Sequence, residues 1–166
     1  MMTKNILIVG VGGQGTLLAS KVMGKVFLDS GYDVKVSEVH GMSQRGGSVV
    51  TYVRYGDEVY STLIDKGEAD ILLSFEALEA ARWLPYLKKD GVVITNTQRL
   101  NPVEADALAL AEEAGSAKSV NVVLLGIAAK HIGLDKQLWL DAVKSTVPPK
   151  TVDMNVAAFE KGYELN

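Results

Sequence analysis

The sequence predicts an α/β fold: a three-layer domain around a mostly parallel, mixed sheet that includes one hairpin. Three observations carry this expectation. Ile6-Leu7-Ile8-Val9 is a short apolar run with β-branched residues, and it passes through a glycine cluster into a helical pattern. Further β-rich runs alternate with helical ones along the chain. At Gly56-Asp57 two β-rich runs are joined too closely for anything but an antiparallel pair. Together these describe a Rossmann-like domain.

Composition sets the outer bounds. The chain has 166 residues, 48% of them hydrophobic and 22% charged, which suits one domain over residues 1–166. The opening Met1-Met2-Thr3-Lys4-Asn5 leads directly into a strand too short to span a membrane, so neither a signal peptide nor a membrane segment is expected. A net charge of −3 argues against a general nucleic-acid binder. There is no cysteine, hence no disulfide, no thiolate nucleophile and no cysteine-ligated iron–sulfur cluster in this chain. The two histidines, His40 and His131, lack partners at ligand spacing, so no zinc site is expected.

Each element follows from local chemistry. From Thr16 a helix places Leu18, Val22 and Val26 on one face, and Ser30-Gly31-Tyr32-Asp33 stops it. Val34, Val36 and Val39 mark a second strand, completing a β-α-β unit with the usual right-handed crossover. Gly41–Gly47 is a glycine-rich loop. Residues 48–55 and 59–64 read as the two strands of the hairpin. A buried strand over 69–75 precedes a helix through Ala77, Leu78, Ala81 and Leu84, which Pro85 bends or ends. Gly91 opens a strand through Asn96. Helices are expected over 107–114, 121–131, 136–146 and 151–163, with Gly115, Gly133 and Pro148-Pro149 as stops. One joint is too short: between Thr97 and Val103 lie five residues, whereas a parallel crossover takes about a dozen or more. Either 103–106 is not a parallel strand or a loop is missing between 97 and 106.

Two segments carry the candidate chemistry. Gly10, Gly12 and Gly15 fit G-x-G-x-x-G, with Gly13, Gln14 and Thr16 completing the turn. Backbone N–H groups and the helix dipole favour a phosphate or carboxylate there, although the glycines would also serve close packing of strand on helix. An NAD reading would take Glu38 as the acid about 20 residues on. In the second segment Arg45 can grip an anion with two bonds, Ser43 and Gln44 add neutral donors, and Gly46 and Gly47 allow close approach. Both segments follow strand C-termini, the edge where open α/β sheets bind ligands. Asn96 ends a strand at that edge. His40 is read as a structural or interface residue, Asn121 as an N-cap, and Asn155 as a polar hint of an interface in the last helix. Trp83, Trp139 and Phe159 are assigned to the core or a subunit contact.

Residues 8–20 and 37–50, with Gly67-Glu68-Ala69-Asp70, Asn121–Gly126 and Val147–Lys150, resemble the gamma-type domain of the 2-oxoacid:ferredoxin oxidoreductases, in its indolepyruvate branch. The resemblance spans nearly the whole chain. It implies a small subunit, inactive alone, that docks beside a large subunit holding thiamine diphosphate, Mg and iron–sulfur clusters. The implied reaction decarboxylates an aryl 2-oxoacid oxidatively, giving an aryl-acetyl-CoA, CO2 and reduced ferredoxin, in cytoplasmic amino-acid catabolism. CoA is the ligand implied for the glycine edge, and no metal or catalytic residue is assigned to this chain. In isolation, an apolar surface left bare is expected to drive homodimer formation. Relatives usually carry extra residues after Asn96-Thr97, where the joint is short. The competing readings are a stand-alone NAD(P)- or ATP-binding Rossmann enzyme and an adenylating enzyme of the ubiquitin-activating type.

Overall fold

The computed structural model describes residues 2–41, 46–96, 103, 104 and 106–165. Among the described residues six strands form one sheet: β1 (Lys4–Val11), β2 (Asp33–His40), β3 (Ser48–Gly56), β4 (Ala69–Ser74), β5 (Leu87–Thr95) and β6 (Val103–Glu104). Their order across the sheet is β2-β3-β1-β4-β5-β6. β3 runs antiparallel to both of its neighbours, β1 and β2, while β1, β4, β5 and β6 pair in parallel. Five strands therefore point one way and one opposes them.

Strand alternation sends Ile6, Ile8, Val53, Tyr55, Leu73 and Ile94 to one face and Leu7, Val9, Val50, Leu72 and Val93 to the other. Helices α1 (Thr16–Asp29), α3 (Ala107–Glu113), α4 (Val120–Ile132), α5 (Lys136–Thr146) and α6 (Val152–Glu164) contribute to the core on the first face. That core is anchored by Phe27, which stacks on Tyr55 with ring centroids 3.8 Å apart and meets Trp139 edge-on. The second face is covered by α2 (Ala77–Trp83) and the segment before β4, where Trp83, Tyr86 and Tyr52 cluster. The three layers are present, but one outer layer is thin.

α4 is buried continuously from Val122 to Ala129, since it lies between sheet and helix rather than at the surface. It crosses α6 closely because both carry glycine at the contact. A β-carbon on Gly126 would run into the Phe159 carbonyl, and one on Gly162 into the Val123 carbonyl.

Several expectations need correction. The hairpin exists, but β2 and β3 form it, paired from Asp33 with Gly56 to His40 with Val49. Residues 59–64 hold no strand, because both edges of β3 are already taken by β1 and β2. They are fastened as a loop instead: Val59 N–H donates to Asp33 Oδ2 at 2.9 Å, and Arg54 Nη1 donates to the Ser61 and Leu63 carbonyls. The β-α-β unit keeps β1 and β2 parallel in direction, with β3 lying between them. β5 begins before Gly91, at Leu87, with a register shift opposite Ala69 and Ile71. β6 is a parallel strand, and its register places Val103 beside Ile94 and Glu104 beside Thr95. A strand this short at the end of β5 asks the connection to return by two residues, not by a full crossover. The joint over 97–102 lies outside the described residues. Asn155, read as a polar hint of an interface, is buried, and its Nδ2 donates to the Thr151 carbonyl at 2.8 Å within its own helix. Trp139 and Phe159 are fully buried in the core.

Candidate functional site

β1 ends at Val11 and the chain turns through Gly12, Gly13, Gln14 and Gly15 into α1. Gly13 and Gly15 have φ of +98° and +90°, a region that glycine enters without steric cost. Gln14 clips the turn: its Oε1 accepts from Val11 N–H at 2.9 Å, and its Nε2 donates to Glu76 Oε2 at 3.4 Å. A β-carbon on Gly10 would stand 2.8 Å from that Oε1. One on Gly15 would overlap the amide of Asn121, whereas one on Gly13 would meet nothing within 4 Å. Gly10 and Gly15 answer to packing; Gly13 answers to backbone geometry alone.

The second glycine segment is joined to the first by main-chain bonds. Gly12 N–H donates to the Gly47 carbonyl at 2.9 Å, and Gly46 N–H approaches the Gly12 carbonyl at 3.5 Å. This continues the β1–β3 ladder past its last pair, Val11 with Ser48. Ser48 Oγ then donates to Glu79 Oε2 at 2.6 Å, and Glu79 is buried in the first turn of α2. Ser43, Gln44 and Arg45 lie outside the described residues.

Two cavities flank the turn. The first, about 450 Å³, is lined by Gly12, Gly13, Thr16 and Leu17 on one side and by Glu38, His40 and Val49 on the other. Glu38 Oε2 accepts from Thr51 Oγ1 at 3.1 Å and from Thr16 Oγ1 at 3.4 Å. The carboxylate thereby ties β2 to β3 and to the start of α1. His40 is exposed, its Nδ1 3.2 Å from the neighbouring Gly41 carbonyl. The second cavity, about 460 Å³, brings Gly13, Gln14 and Asn96 together with Phe75, Lys118 and Asn121.

The arrangement can hold an elongated ligand across the C-terminal edge of the sheet, with hydrogen-bond donors and Lys118 on one flank and the Glu38 carboxylate on the other. Of the residues singled out in the sequence, Gly10, Gly12, Gly13, Gln14, Gly15, Thr16, Gly46 and Gly47 meet at the turn, and Asn96 lines the second cavity. Asn121 is not the cap expected: Ser119 precedes α4, and Asn121 packs its amide against Gly15. Thr51, Lys118 and Glu79 were not legible as site residues. Each is an ordinary polar residue in sequence, and only strand order and the fold of the 115–119 turn bring it to this edge. Among the described residues, no cluster of three His, Cys, Asp or Glu could hold a metal ion. No helix among them is long and apolar enough to cross a membrane.

Comparison with known proteins bears on what this edge serves. The family model for pyruvate ferredoxin/flavodoxin oxidoreductase matches residues 5–165. The indolepyruvate oxidoreductase subunit IorB of Thermococcus kodakarensis is 42% identical over 194 aligned residues, covering 99% of this chain and 96% of that protein. The crystal structure of the keto/oxoacid ferredoxin oxidoreductase gamma subunit from Geobacter sulfurreducens superposes with a TM-score of 0.83 at 27% identity, covering 97% of this chain and 96% of that one. A 2-oxoglutarate:ferredoxin oxidoreductase from Magnetococcus marinus, with 2-oxoglutarate, coenzyme A and succinyl-CoA bound, shares the fold at TM-score 0.83 and 17% identity, over 98% of this chain but 31% of its own. The chain belongs to the pyruvate ferredoxin/flavodoxin oxidoreductase family and is built as a gamma-type subunit of the 2-oxoacid:ferredoxin oxidoreductases.

Proposed function

We propose that this chain is the small subunit of a thiamine-dependent indolepyruvate:ferredoxin oxidoreductase, working in the cytoplasm and active only with its large subunit. The observation that carries the reading is the 42% identity, along nearly the full length of both chains, to a protein named as an indolepyruvate oxidoreductase subunit. The complex would convert indolepyruvate and related aryl pyruvates to aryl-acetyl-CoA and CO2, passing electrons to ferredoxin. With no cysteine, this chain has no thiolate to offer an iron–sulfur cluster. The clusters, thiamine diphosphate and Mg therefore belong to the large subunit in this reading.

What this chain supplies is the edge around Gly10–Thr16, extended by Gly46, Gly47 and Asn96 and, in the proposal, by Ser43, Gln44 and Arg45. Backbone N–H groups there suit phosphate oxygens, and the cavities on either side give CoA a lodging beside the partner. CoA, when bound, brings the thiol that takes up the acyl group. The chain's own residues position it and carry no proton-transfer step.

Reconstitution tests the proposal. Ferredoxin reduction driven by indolepyruvate is expected only when this chain and a thiamine-binding large subunit are mixed. Turnover by the isolated chain with NAD(P) or ATP would overturn it. For the ligand edge, Arg45→Ala in the assembled complex should raise the CoA concentration needed for half-maximal rate. An unchanged CoA dependence would count against that role.

A further inference from the structure

A third cavity lies at the other end of the strands from the glycine turn. It holds about 320 Å³ and sits where β4 and β5 leave regular pairing. Ala69 pairs with Leu87 and Ile71 with Val92, so residues 88–91 stand opposite Asp70 alone. A bulge of this kind re-aims side chains, and here both Lys88 and Asp90 line the cavity. Asp70 is a fixed post. Its Oδ2 accepts from Asn5 N–H at 2.8 Å, while its Oδ1 receives Lys88 Nζ at 2.7 Å and Lys4 Nζ at 3.6 Å. Two ammonium groups thus converge on one carboxylate, and each keeps donors to spare. Asp90 stands two residues from Lys88, yet its side chain has no hydrogen-bond or ion-pair partner among the described residues. The last turn of α4, through His131 and Ile132, also lines the cavity, and the partial negative charge of a helix C-terminus favours a cation. Ile6 and Ile71, both buried, and Val92 and Ile132, half-buried, add an apolar wall.

We propose that this cavity binds a free α-amino acid with an apolar side chain. The carboxylate goes to the spare donors of Lys4 and Lys88, and the ammonium goes to Asp90 and the end of α4. The side chain lies on the isoleucine and valine wall. The charges call for a zwitterion: two lysines against Asp70 leave one positive charge over, and Asp90 leaves one negative charge over. A ligand of one sign would satisfy one of these and be repelled by the other. A nucleotide or phosphate would bring several negative charges toward two carboxylates. The volume, at the low end for small-molecule sites, suits a single amino acid. No lining residue of this cavity belongs to the glycine edge, so the site stands apart from the CoA reading.

Calorimetric titration of the full chain tests this without any turnover. The probes are L-leucine and two analogues that keep its side chain but only one charge each, 4-methylpentanoate and 3-methylbutylamine. L-Leucine should bind about tenfold more tightly than either analogue, and about tenfold or more above glycine, which lacks the side chain. Asp90→Asn removes an exposed, unpaired charge and so leaves the fold intact. It should weaken leucine about tenfold and leave 4-methylpentanoate within about twofold. Lys88→Ala should weaken both leucine and 4-methylpentanoate and spare 3-methylbutylamine; if it unfolds the chain, Asp90→Asn still decides. Four results would overturn the site: an analogue binding as tightly as leucine, inorganic phosphate binding more tightly, no leucine binding by the folded chain, or leucine binding that ignores Asp90→Asn. Ferredoxin reduction is not read, so failure here leaves the proposed reaction untouched, and failure of that reaction leaves this site standing.

Discussion

Gly15, at the start of α1, lies against the side-chain amide of Asn121, at the start of α4, with no room between them for a β-carbon. Two helices that approach the glycine edge from different parts of the chain are thereby keyed to each other. Gly15→Ala should cost about 3 kcal/mol, combining left-handed backbone strain with a forced shift of Asn121. Gly13→Ala has the same backbone problem but open space, and should cost only about 1 kcal/mol. Urea unfolding of both, and of Gly15→Ala with Asn121→Ala, checks this; the second change should restore part of the loss.

The α4–α6 crossing depends on Gly126 and Gly162, whose facing neighbours are backbone carbonyls that cannot rotate away. Either residue changed to alanine should push the helices apart at a cost of about 3 kcal/mol. For a chain of this size that lowers the melting temperature by roughly 6–12 °C. Calorimetry would measure it. An unshifted melting temperature would show the crossing to be looser than described.

Tyr55 makes stability depend on alkaline pH. Burial first, then the neighbouring Tyr32 and Asp70, pushes its phenol from an ordinary 10 up to about 12. The folded state therefore retains a proton that the unfolded chain gives up above pH 10. The stabilisation is whole below pH 10 and is lost as pH rises toward 12. Tyr52 is raised too, by burial and by Tyr86, and acts in the same direction. Unfolding free energy measured between pH 9 and 12 should fall, and Tyr55→Phe should flatten most of that slope.

Glu79 is a buried carboxylate that receives Ser48 Oγ at 2.6 Å, with Arg82 Nε at 3.6 Å. Ser48→Ala leaves it short of a donor and should cost about 2 kcal/mol. Because Ser48 opens β3 directly after the glycine loop, the loss should also speed amide hydrogen exchange at Gly47 and Ser48. Glu79→Gln, which still accepts the serine hydroxyl, should be milder. Stability and exchange measured together separate the two effects.

How much of this was readable in advance depends on what fixed each feature. The strand–turn–helix at residues 6–29 was legible because β-branched runs, positive-φ glycines and helical spacing are all local. So were α5 over 136–146 and the glycine stop at Gly133, which has a φ of +78°. The pairing of β3 was not legible, because residues 59–64 are as β-rich as β2 and only competition for β3's edges decides between them. The roles of Lys118 and Asn121 were hidden for a related reason. Nothing in their neighbourhood says that α4 begins beside Gly15, some hundred residues earlier in the chain. The resemblance to a family supplied the function, which spacing alone left open between several ligand classes.

The reversal of β3 reaches further than topology. In a dinucleotide-binding dehydrogenase the acid that grips the ribose ends the strand directly beside β1. Here β3 occupies that place, and at a spacing of about 4.8 Å per strand β2 stands roughly 10 Å from β1. Glu38, the acid in question, is bonded to Thr51 on the intruding strand. The chain thus keeps an intact glycine fingerprint while its sheet has removed the geometry that makes the fingerprint mean nicotinamide. One strand turned end for end sets this turn apart from a hydride-transfer site, and the order of strands tells the two apart where the motif cannot.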